Sequence, residues 1–355
     1  MELFAVVMAG GIGSRFWPRS KQKKPKQLIR IFGENTMIQD TISRLDKLIS
    51  NDHIYIVTSK IQKQRVIDQL PEIPAENIIA EPYGKNTAAC IGLASVIIQK
   101  KCKDAVTIVL AADHLIRDIK NFQSSLKLAA EFALNSKGLV TIGIPPTRPE
   151  TGYGYIQFDE KNVAEKIHKV ITFAEKPNLS TAKRFMEAGD FLWNSGMFIW
   201  RTDAILSEIQ EHMPDLHDGL LEIQKSLDKP EFESVLINVY GQLKSISIDY
   251  GVMEKSKNVF LIKGNFDWSD VGNWETVYEL SSKDEEGNVK IGDVYVEESF
   301  NSYIFAPQKF AAVIGVSDLI VINTKDALLI CHRGNAQDVK QVVDYLKMKN
   351  KDELL

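Results

Sequence analysis

Short, wholly apolar runs recur through most of the chain, and the first few alternate with stretches of helical spacing. The runs that we predict as strands span residues 4–8, 54–58, 78–80, 106–111, 139–144, 170–174, 197–200 and 259–263. Strands that alternate with helices predict a parallel sheet with right-handed crossovers, and strands apolar on both faces fit a sheet covered on both sides. Because ligands of such sheets bind beyond the carboxyl ends of the strands, the functional groups are expected there.

The pattern changes at the polar, turn-rich stretch 281–288, which is typical of a linker. Beyond it, short β-rich segments follow one another without helices between them, at 291–297, 302–305, 311–316, 319–323 and 327–331. A one-sided amphipathic helix is predicted over 337–348, where Val339, Val342, Val343 and Leu346 share one face. We therefore predict two domains, an α/β domain over 1–284 and a small all-β module with a terminal helix over 285–355.

Composition and charge exclude several classes of function. The 355 residues are 44% hydrophobic and 25% charged, with a net charge of −4, as in ordinary globular proteins. Neither a basic stripe for nucleic acid nor a membrane span is expected. The cysteines Cys90, Cys102 and Cys331 are far apart, which argues against a disulfide framework or a zinc site. Without a recognisable signal peptide, a cytoplasmic location is expected.

A glycine-rich turn with cations follows the first predicted strand. Residues 9–15 read Ala-Gly-Gly-Ile-Gly-Ser-Arg, and a lysine cluster ends at Lys26. Bare backbone N–H groups let a phosphate chain approach closely, and Arg15 can make a forked contact with its oxygens. The spacing is neither that of a P-loop nor that of the dinucleotide-binding fingerprint. Because Lys26 is held between a proline and a glutamine, we expect it to face a ligand together with Arg15.

Two more loops follow predicted strands. Residues 81–87 read Glu-Pro-Tyr-Gly-Lys-Asn-Thr before an apolar helix, and their polar groups suit a helix cap or contact with the edge of a base about equally. Asp113 stands after the strand 106–111, where a carboxylate caps a turn or holds Mg²⁺ against a triphosphate. Asp270 offers a second carboxylate, and Mg²⁺ takes one or two from a protein. His114 is expected to be structural.

Three later segments, 152–156, 173–177 and 193–197, have the residue types of a sugar site. Glu175 and Asn194 would accept hydrogen bonds from vicinal hydroxyl groups, and Gly152 would expose its backbone N–H. Lys176 would meet the charge of a sugar phosphate. Taken alone, Glu175 and Lys176 are more typical of a surface charge pair.

These motifs together resemble the mannose-1-phosphate guanylyltransferase family, also called GDP-mannose pyrophosphorylases. The segments that carry the resemblance, in the family's order, are 8–27, 81–89, 112–114, 152–156, 173–177, 193–198, 247–255 and 270–274. The most specific are Ala-Gly-Gly-x-Gly-x-Arg-x-Trp-Pro-x-Ser with Pro-Lys-Gln, and Ser-Ile-Asp-Tyr-Gly-Val-Met-Glu-Lys. The resemblance implies a Rossmann-like, GT-A-like nucleotidyltransferase domain with a mostly parallel mixed sheet, followed by a small left-handed β-helix module.

The resemblance also implies substrates and residue roles. The substrates would be GTP and mannose 1-phosphate, the products GDP-mannose and pyrophosphate, and the cofactor Mg²⁺, held by Asp113 and Asp270. The implied nucleotide-binding residues are Ala9, Gly10, Gly11, Gly13, Ser14, Arg15, Lys26, Glu81, Lys85, Asn86, Thr87 and Asp113. The implied sugar-phosphate-binding residues are Gly152, Tyr153, Glu175, Lys176, Asn194 and Asp249. Arg15, Lys26 and Lys176 are the expected catalytic residues.

The expected reaction is in-line attack by a phosphate oxygen of mannose 1-phosphate on the α-phosphorus of GTP. No general base is needed, because the second pKa of a phosphate monoester is about 6. Two alternatives stay open: another pair of nucleotide and sugar phosphate, or a non-catalytic regulatory paralogue, which would be expected to lose the metal carboxylates or the loop cation. A homodimer is expected, with the β module as assembly surface, and no isomerase activity is predicted.

Overall fold

Nine strands form the central sheet of the computed structural model, which describes residues 2–355. Before residue 284, the strands are β1 Leu3–Met8, β2 Ile54–Ser59, β3 Ile78–Glu81, β4 Val106–Ala111, β5 Leu115–Ile116, β6 Leu139–Ile144, β7 Tyr155–Ala164, β8 Ile167–Ala174, β9 Phe191–Arg201, β10 Val259–Lys263 and β11 Trp268–Ser269. The sheet order is β3-β2-β1-β4-β9-β6-β10-β8-β7, while β5 and β11 form a separate pair. Since β1–β4 run parallel and β9 is antiparallel to β4 and β6, the predicted mostly parallel mixed sheet is confirmed.

The helices are α1 Met37–Ser43, α2 Lys63–Gln69, α3 Asn86–Lys101, α4 Ile119–Ser136, α5 Leu179–Ala188, α6 Thr202–His212, α7 Pro214–Ser226, α8 Phe232–Gln242, α9 Trp274–Leu280 and α10 Val339–Met348. Helices α1 to α8 cover the two faces of the sheet, whereas α9 and α10 pack with the C-terminal module. Alternate residues of β1 enter different cores: Phe4 and Val6 pack on the side of α3, and Ala5 and Val7 on the side of α4. Within residues 2–355, no helix combines the length and the apolar character that a membrane crossing requires.

Two strands of the sheet, β7 and β9, differ from the sequence-based prediction. β7 has no predicted counterpart, because only its first four residues carry an apolar, mostly buried pattern and the remainder is exposed. β9 begins at Phe191, six residues before the predicted start, and its antiparallel course breaks the simple alternation of parallel strands and helices.

The C-terminal module has four strands, β12 Val289–Glu297, β13 Tyr303–Ile314, β14 Leu319–Asn323 and β15 Leu328–His332. The first three are parallel neighbours, as in the coils of a β-helix, and β15 is antiparallel to β14. The predicted strands 302–305 and 311–316 are one strand, β13, whose pairing with β12 shifts between Gly292 and Val294. The terminal helix α10 starts at Val339 rather than 337, because a 3-10 segment precedes it.

The β-rich module packs directly against the glycine turn after β1. Phe16 and Trp17 of that turn share one buried cluster with Trp274, Tyr303 and residues of α10. The indole N–H of Trp17 donates to the carbonyl oxygen of Leu354 at 3.0 Å, and that of Trp274 donates to the carbonyl oxygen of Trp17 at 3.2 Å. The second domain therefore supports the loop on which the candidate phosphate-binding residues lie.

Candidate active site

The glycine turn after β1 is held in one shape by Gln27. The amide nitrogen of Gln27 donates to the carbonyl oxygens of Ala9 at 2.7 Å and Gly11 at 3.0 Å. Gly13 has a φ of 66°, and a Cβ added there would lie 2.6 Å from the Cβ of Lys26. Both the positive φ and the close approach require glycine at this position.

Arg15 lies on this turn and borders a cleft of about 250 Å³. The cleft is lined by Gly13, Ser14, Arg15, Phe16, Lys26, Asp113, His114, Asp270 and Gly272. Arg15 is exposed, and in the described part of the chain its guanidinium has neither a hydrogen-bond nor an ion-pair partner. A free guanidinium at the end of a parallel strand is suited to forked contact with phosphate oxygens.

Lys26 links the carboxylate of Asp113 to the backbone of Asp270, the two predicted metal-binding residues. Its side chain is buried, and its amine lies 2.9 Å from Oδ2 of Asp113 and 2.6 Å from the backbone oxygen of Asp270. Burial raises the pKa of Asp113, but Lys26 and His114 lower it more, so that the net pKa is lowered. The carboxyl group therefore stays ionised to a lower pH than an ordinary aspartate. An ammonium has three donors, so one donor of Lys26 is not used by these two contacts.

Tyr153 orients the carboxylate of Asp270. Its hydroxyl donates to Oδ1 of Asp270 at 2.5 Å, and its ring packs edge-on against Trp193 and Trp268. Burial, followed by the charge of Asp270, raises the pKa of Tyr153, so the phenol remains a donor. The other oxygen of Asp270 faces Gly272, where an added Cβ would lie 3.2 Å from it.

The two aspartates keep oxygens that fit a divalent cation. Among residues 2–355, no donor bonds Oδ1 of Asp113 or Oδ2 of Asp270, and both side chains border the cleft that holds Arg15. Two carboxylate oxygens, with phosphate and water oxygens as the remaining ligands, match the preference of Mg²⁺. The residues present therefore fit this metal.

His114 has a structural contact, in agreement with the sequence-based expectation. Its Nδ1 accepts the indole N–H of Trp268 at 3.2 Å. Burial is the main cause that lowers the pKa of His114, which favours the neutral ring that such an acceptor requires.

Glu81 ends β3 and reaches the glycine turn. One carboxyl oxygen accepts the hydroxyl of Tyr240 at 3.2 Å, and the other would lie 3.7 Å from a Cβ added at Gly10. Burial raises the pKa of Glu81 to about 7, although the hydrogen bond from Tyr240 acts in the opposite direction. Glu81 is thus a buried carboxyl with one oxygen directed at the turn.

The rest of the loop 81–87 is tied to the protein. The amine of Lys85 donates to the carbonyl oxygen of Leu243 at 2.6 Å, and the hydroxyl of Thr87 accepts the N–H of Ile248 at 2.8 Å. Asn86 has a positive φ, and its side chain accepts the N–H of Thr87. These contacts fix the loop beside Glu81, and they occupy side chains that were expected to bind nucleotide.

Four predicted sugar-site side chains lie together. The amide of Asn194 donates to the Asp249 carboxylate at 2.8 Å, and the amine of Lys176 pairs with the Glu175 carboxylate. A Cβ at Gly154 would collide with Glu175 and lie 3.2 Å from the Cβ of Asn194. The cluster therefore combines carboxylate, amide and ammonium groups that lie close to the backbone of Gly154.

Charge coupling sets the ionisation of this cluster. Burial, followed by the charge of Glu175, raises the pKa of Asp249 to about 6. Burial lowers the pKa of Lys176, but Glu175 and Asp249 raise it more. The expected free N–H of Gly152 is not free in this structure, because it donates to the Glu150 carboxylate at 3.0 Å.

Tyr153 and Gly154 connect the predicted phosphate site to the predicted sugar site. The hydroxyl of Tyr153 contacts Asp270, and the carbonyl oxygen of Gly154 accepts the N–H of Asn194 at 2.8 Å. Sequence reasoning missed Gln27 as a positioning residue, although the Pro-Lys-Gln motif marks it. It also missed Tyr240, which has no local signal because it lies 159 residues from Glu81.

Two family models match the chain. A "Nucleotidyl transferase" model matches residues 4–287, and a "MannoseP isomerase/GMP-like beta-helix domain" model matches residues 292–346. The first covers most of the chain, and the second coincides with the strands β12–β15 and most of α10.

Curated relatives and a solved structure match over nearly the whole chain. A mannose-1-phosphate guanylyltransferase of Klebsiella pneumoniae is 39% identical over 99% of this chain and 75% of its own length. One of Salmonella muenchen is 40% identical, with the same coverage. A crystal structure of a mannose-1-phosphate geranyltransferase from Thermus thermophilus has a TM-score of 0.87 and 31% identity, over 98% of this chain and 100% of that one.

Proposed function

Because the chain belongs to the mannose-1-phosphate guanylyltransferase family, we propose that it transfers the guanylyl group of GTP to mannose 1-phosphate, with GDP-mannose and pyrophosphate as products. The observation that carries this proposal is that two clusters of polar and charged side chains lie next to each other at one edge of the central sheet. One holds Arg15, Lys26, Asp113 and Asp270, the other holds Glu175, Lys176, Asn194 and Asp249, and Tyr153 touches the first through Asp270.

The chemical step needs positioning and charge neutralisation rather than a base. A phosphate oxygen of mannose 1-phosphate attacks the α-phosphorus of GTP, the bond to the bridging oxygen of the β-phosphate breaks, and pyrophosphate leaves. The attacking oxygen is already anionic near neutral pH. Arg15 binds the triphosphate and the charge of the departing pyrophosphate, and Lys176 holds the incoming phosphate.

Asp113 and Asp270 are the residues that would hold Mg²⁺. When bound, this ion neutralises phosphate charge. Lys26 keeps the Asp113 side chain and the Asp270 backbone together, and Tyr153 fixes which oxygen of Asp270 faces the cleft. In this proposal the remaining donor of Lys26 contacts a phosphate oxygen.

Glu81 is proposed to select guanine. A carboxylate oxygen can accept a hydrogen bond from the N1–H or the 2-amino group of guanine, whereas adenine has neither donor at these positions. The free oxygen of Glu81 faces the turn at Gly10. Lys85, Asn86 and Thr87 are proposed to support this contact by fixing the loop, and Ala9, Gly10, Gly11, Gly13 and Ser14 to shape the phosphate turn.

On the sugar side, Glu175 and Asn194 are proposed to bind hydroxyl groups, with Asp249 orienting the Asn194 amide. Gly152 and Tyr153 line the approach through their backbone. The domain boundary is proposed at residue 284, which precedes β12 and lies near the end of the first matching family model.

We also propose a homodimer and a cytoplasmic location. Exposed apolar side chains on one face of β12 and β13, Tyr295, Phe310 and Ile314, support the dimer. The three cysteines are free thiols, which is typical of a reducing compartment.

A substrate panel tests the proposed function. Pyrophosphate release is followed with each of four nucleoside triphosphates and with mannose, glucose, galactose and heptose 1-phosphates. We expect GTP with mannose 1-phosphate to give the highest kcat/KM. A higher value for another pair would replace the substrates but keep the reaction class, and no turnover with any pair would contradict the proposal.

A further inference from the structure

A large cleft lies between the two domains of the described chain. Its volume is about 820 Å³, within the range of about 300–1,000 Å³ that is common for small-molecule sites. The segment 18–30 and Arg65 form one wall, and residues near Phe305 and Thr324 of the β-rich module form the other. It shares no lining residue with the cleft that holds Arg15.

Positive side chains dominate this interdomain cleft. Seven lysine and arginine side chains and three carboxylates line it. Lys21 pairs with Asp326 across the two domains. Among residues 2–355, no ion pair engages the other six cations, which are Arg19, Lys23, Lys24, Arg30, Arg65 and Lys325. Because the seven cations outnumber the three acidic side chains, the cleft has a net positive field that attracts anions.

Two further observations indicate a phosphate with an organic part. Partial burial, then the charges of Arg19, Arg65 and Arg30, lower the pKa of Lys24, as expected for crowded cations. The guanidinium of Arg19 is centred 4.1 Å from the ring centroid of Phe305 and donates to the carbonyl oxygen of Arg30. Its remaining N–H groups suit phosphate oxygens, while Phe305 and the neighbouring Pro307 offer apolar surface for a planar group.

We propose that the interdomain cleft is a second binding site, separate from the catalytic cleft, for a nucleotide-sized organic phosphate. The cations bind the phosphate groups, and the wall at Phe305 receives the organic part. One loop borders both clefts, since Arg15 and Lys26 line the catalytic one and Arg19 and Lys24 line this one. A ligand of the second site therefore contacts the segment that carries the catalytic cations.

Calorimetric titration with GDP tests this site by stoichiometry. We expect two GDP per wild-type chain. Reversal of two exposed cations of the interdomain cleft, Arg65→Glu with Lys325→Glu, should reduce the stoichiometry to one GDP per chain. The milder Arg65→Ala with Lys325→Ala should weaken GDP binding in the interdomain cleft about tenfold. The matched control, Lys127→Glu with Lys183→Glu, makes the same charge change at exposed helix positions outside the cleft. This control should still bind two GDP per chain.

The two sites fail separately. Arg15→Ala should weaken only the catalytic site, and guanosine, which lacks phosphate, should not bind the interdomain cleft. If the proposed catalytic function were wrong, one GDP would still bind, and Arg65→Glu with Lys325→Glu would abolish that binding. Two results would overturn the second site. One is a wild-type chain that binds a single GDP and loses it in Arg15→Ala. The other is binding of two GDP by Arg65→Glu with Lys325→Glu when the free energy of unfolding of that variant is unchanged.

Discussion

The ammonium group of Lys26 lies 2.9 Å from the carboxylate of Asp113, and the same group contacts the backbone of Asp270. One buried cation thus holds two residues that are 157 positions apart in the sequence. This pair positions the groups on which the proposed metal and triphosphate chemistry depends.

We expect Lys26→Met to affect both stability and catalysis. The substitution leaves Asp113 and the Asp270 carbonyl without their donor, so the free energy of unfolding should fall by about 1–3 kcal/mol. kcat/KM should fall by about 10²–10³ because a preorganised phosphate contact is lost. Urea unfolding and steady-state kinetics measure both. Wild-type values for the two quantities would contradict the positioning role.

Arg15→Ala should separate catalysis from folding. Arg15 is exposed and has no partner within residues 2–355, so the free energy of unfolding should stay within about 0.5 kcal/mol of wild type. kcat should nevertheless fall by about 10²–10³. Arg184→Ala, at an exposed position of α5, is the matched control and should leave kcat unchanged. Unchanged turnover in the Arg15 variant would remove Arg15 from the catalytic residues.

Tyr153→Phe should weaken the response to Mg²⁺. The variant keeps the packing against Trp193 and Trp268 but loses the hydrogen bond that orients Asp270. We expect about a tenfold rise in the Mg²⁺ concentration for half-maximal rate, and loss of activity when EDTA removes the ion. Tyr345→Phe on α10 is the control. An equal Mg²⁺ response in wild type and the Tyr153 variant would argue against metal binding at Asp270.

Glu81 should make the protein less stable as pH rises. Its pKa is raised from an ordinary 4.5 to about 7, mainly by burial, so the folded state binds more protons than the unfolded state between these values. The stabilisation is complete below pH 4.5 and is lost as pH rises through 7. The size of the shift corresponds to about 3 kcal/mol.

The Glu81→Gln variant checks this dependence. Its free energy of unfolding should fall less than that of wild type between pH 4.5 and 7.5, by up to about 3 kcal/mol. In kinetics, the same variant should lose preference for GTP over ATP. Parallel stability curves would mean that Glu81 is not the titrating group, and unchanged nucleotide preference would mean that it does not contact the base.

Phe310→Lys should shift the proposed dimer towards monomer. Phe310 is 65% exposed on β13, and a lysine there would place a charge in an apolar interface. Sedimentation velocity at several concentrations measures the shift. Ile171→Lys, at a similarly exposed apolar position on β8, should leave the assembly unchanged. A monomeric wild type would contradict the dimer.

The local pattern of apolar residues was sufficient to predict where several strands end and which residues follow them. β1, β4 and β10 end where the apolar runs end, so Arg15 and Asp113 could be placed at one edge of the sheet from the sequence. The hydrogen-bond partners of Lys26 could not be predicted, because they are distant in the sequence and only the complete fold brings them together.

The same reason explains other differences. β13 reads as two strands because its middle, around Pro307, is polar and exposed, and only the pairing with β12 shows that it is continuous. The occupied N–H of Gly152 and the contact of Tyr240 with Glu81 likewise depend on side-chain positions that no spacing encodes.

The central claim is the identity of the product. Incubation of the protein with GTP, mannose 1-phosphate and Mg²⁺, followed by ³¹P NMR and mass spectrometry, should show GDP-mannose and pyrophosphate in equal amounts, and none of either with Arg15→Ala above about 1% of the wild-type rate. Hydrolysis of GTP without a sugar nucleotide, or accumulation of another sugar nucleotide in preference to GDP-mannose when the sugar phosphates compete, would contradict the account.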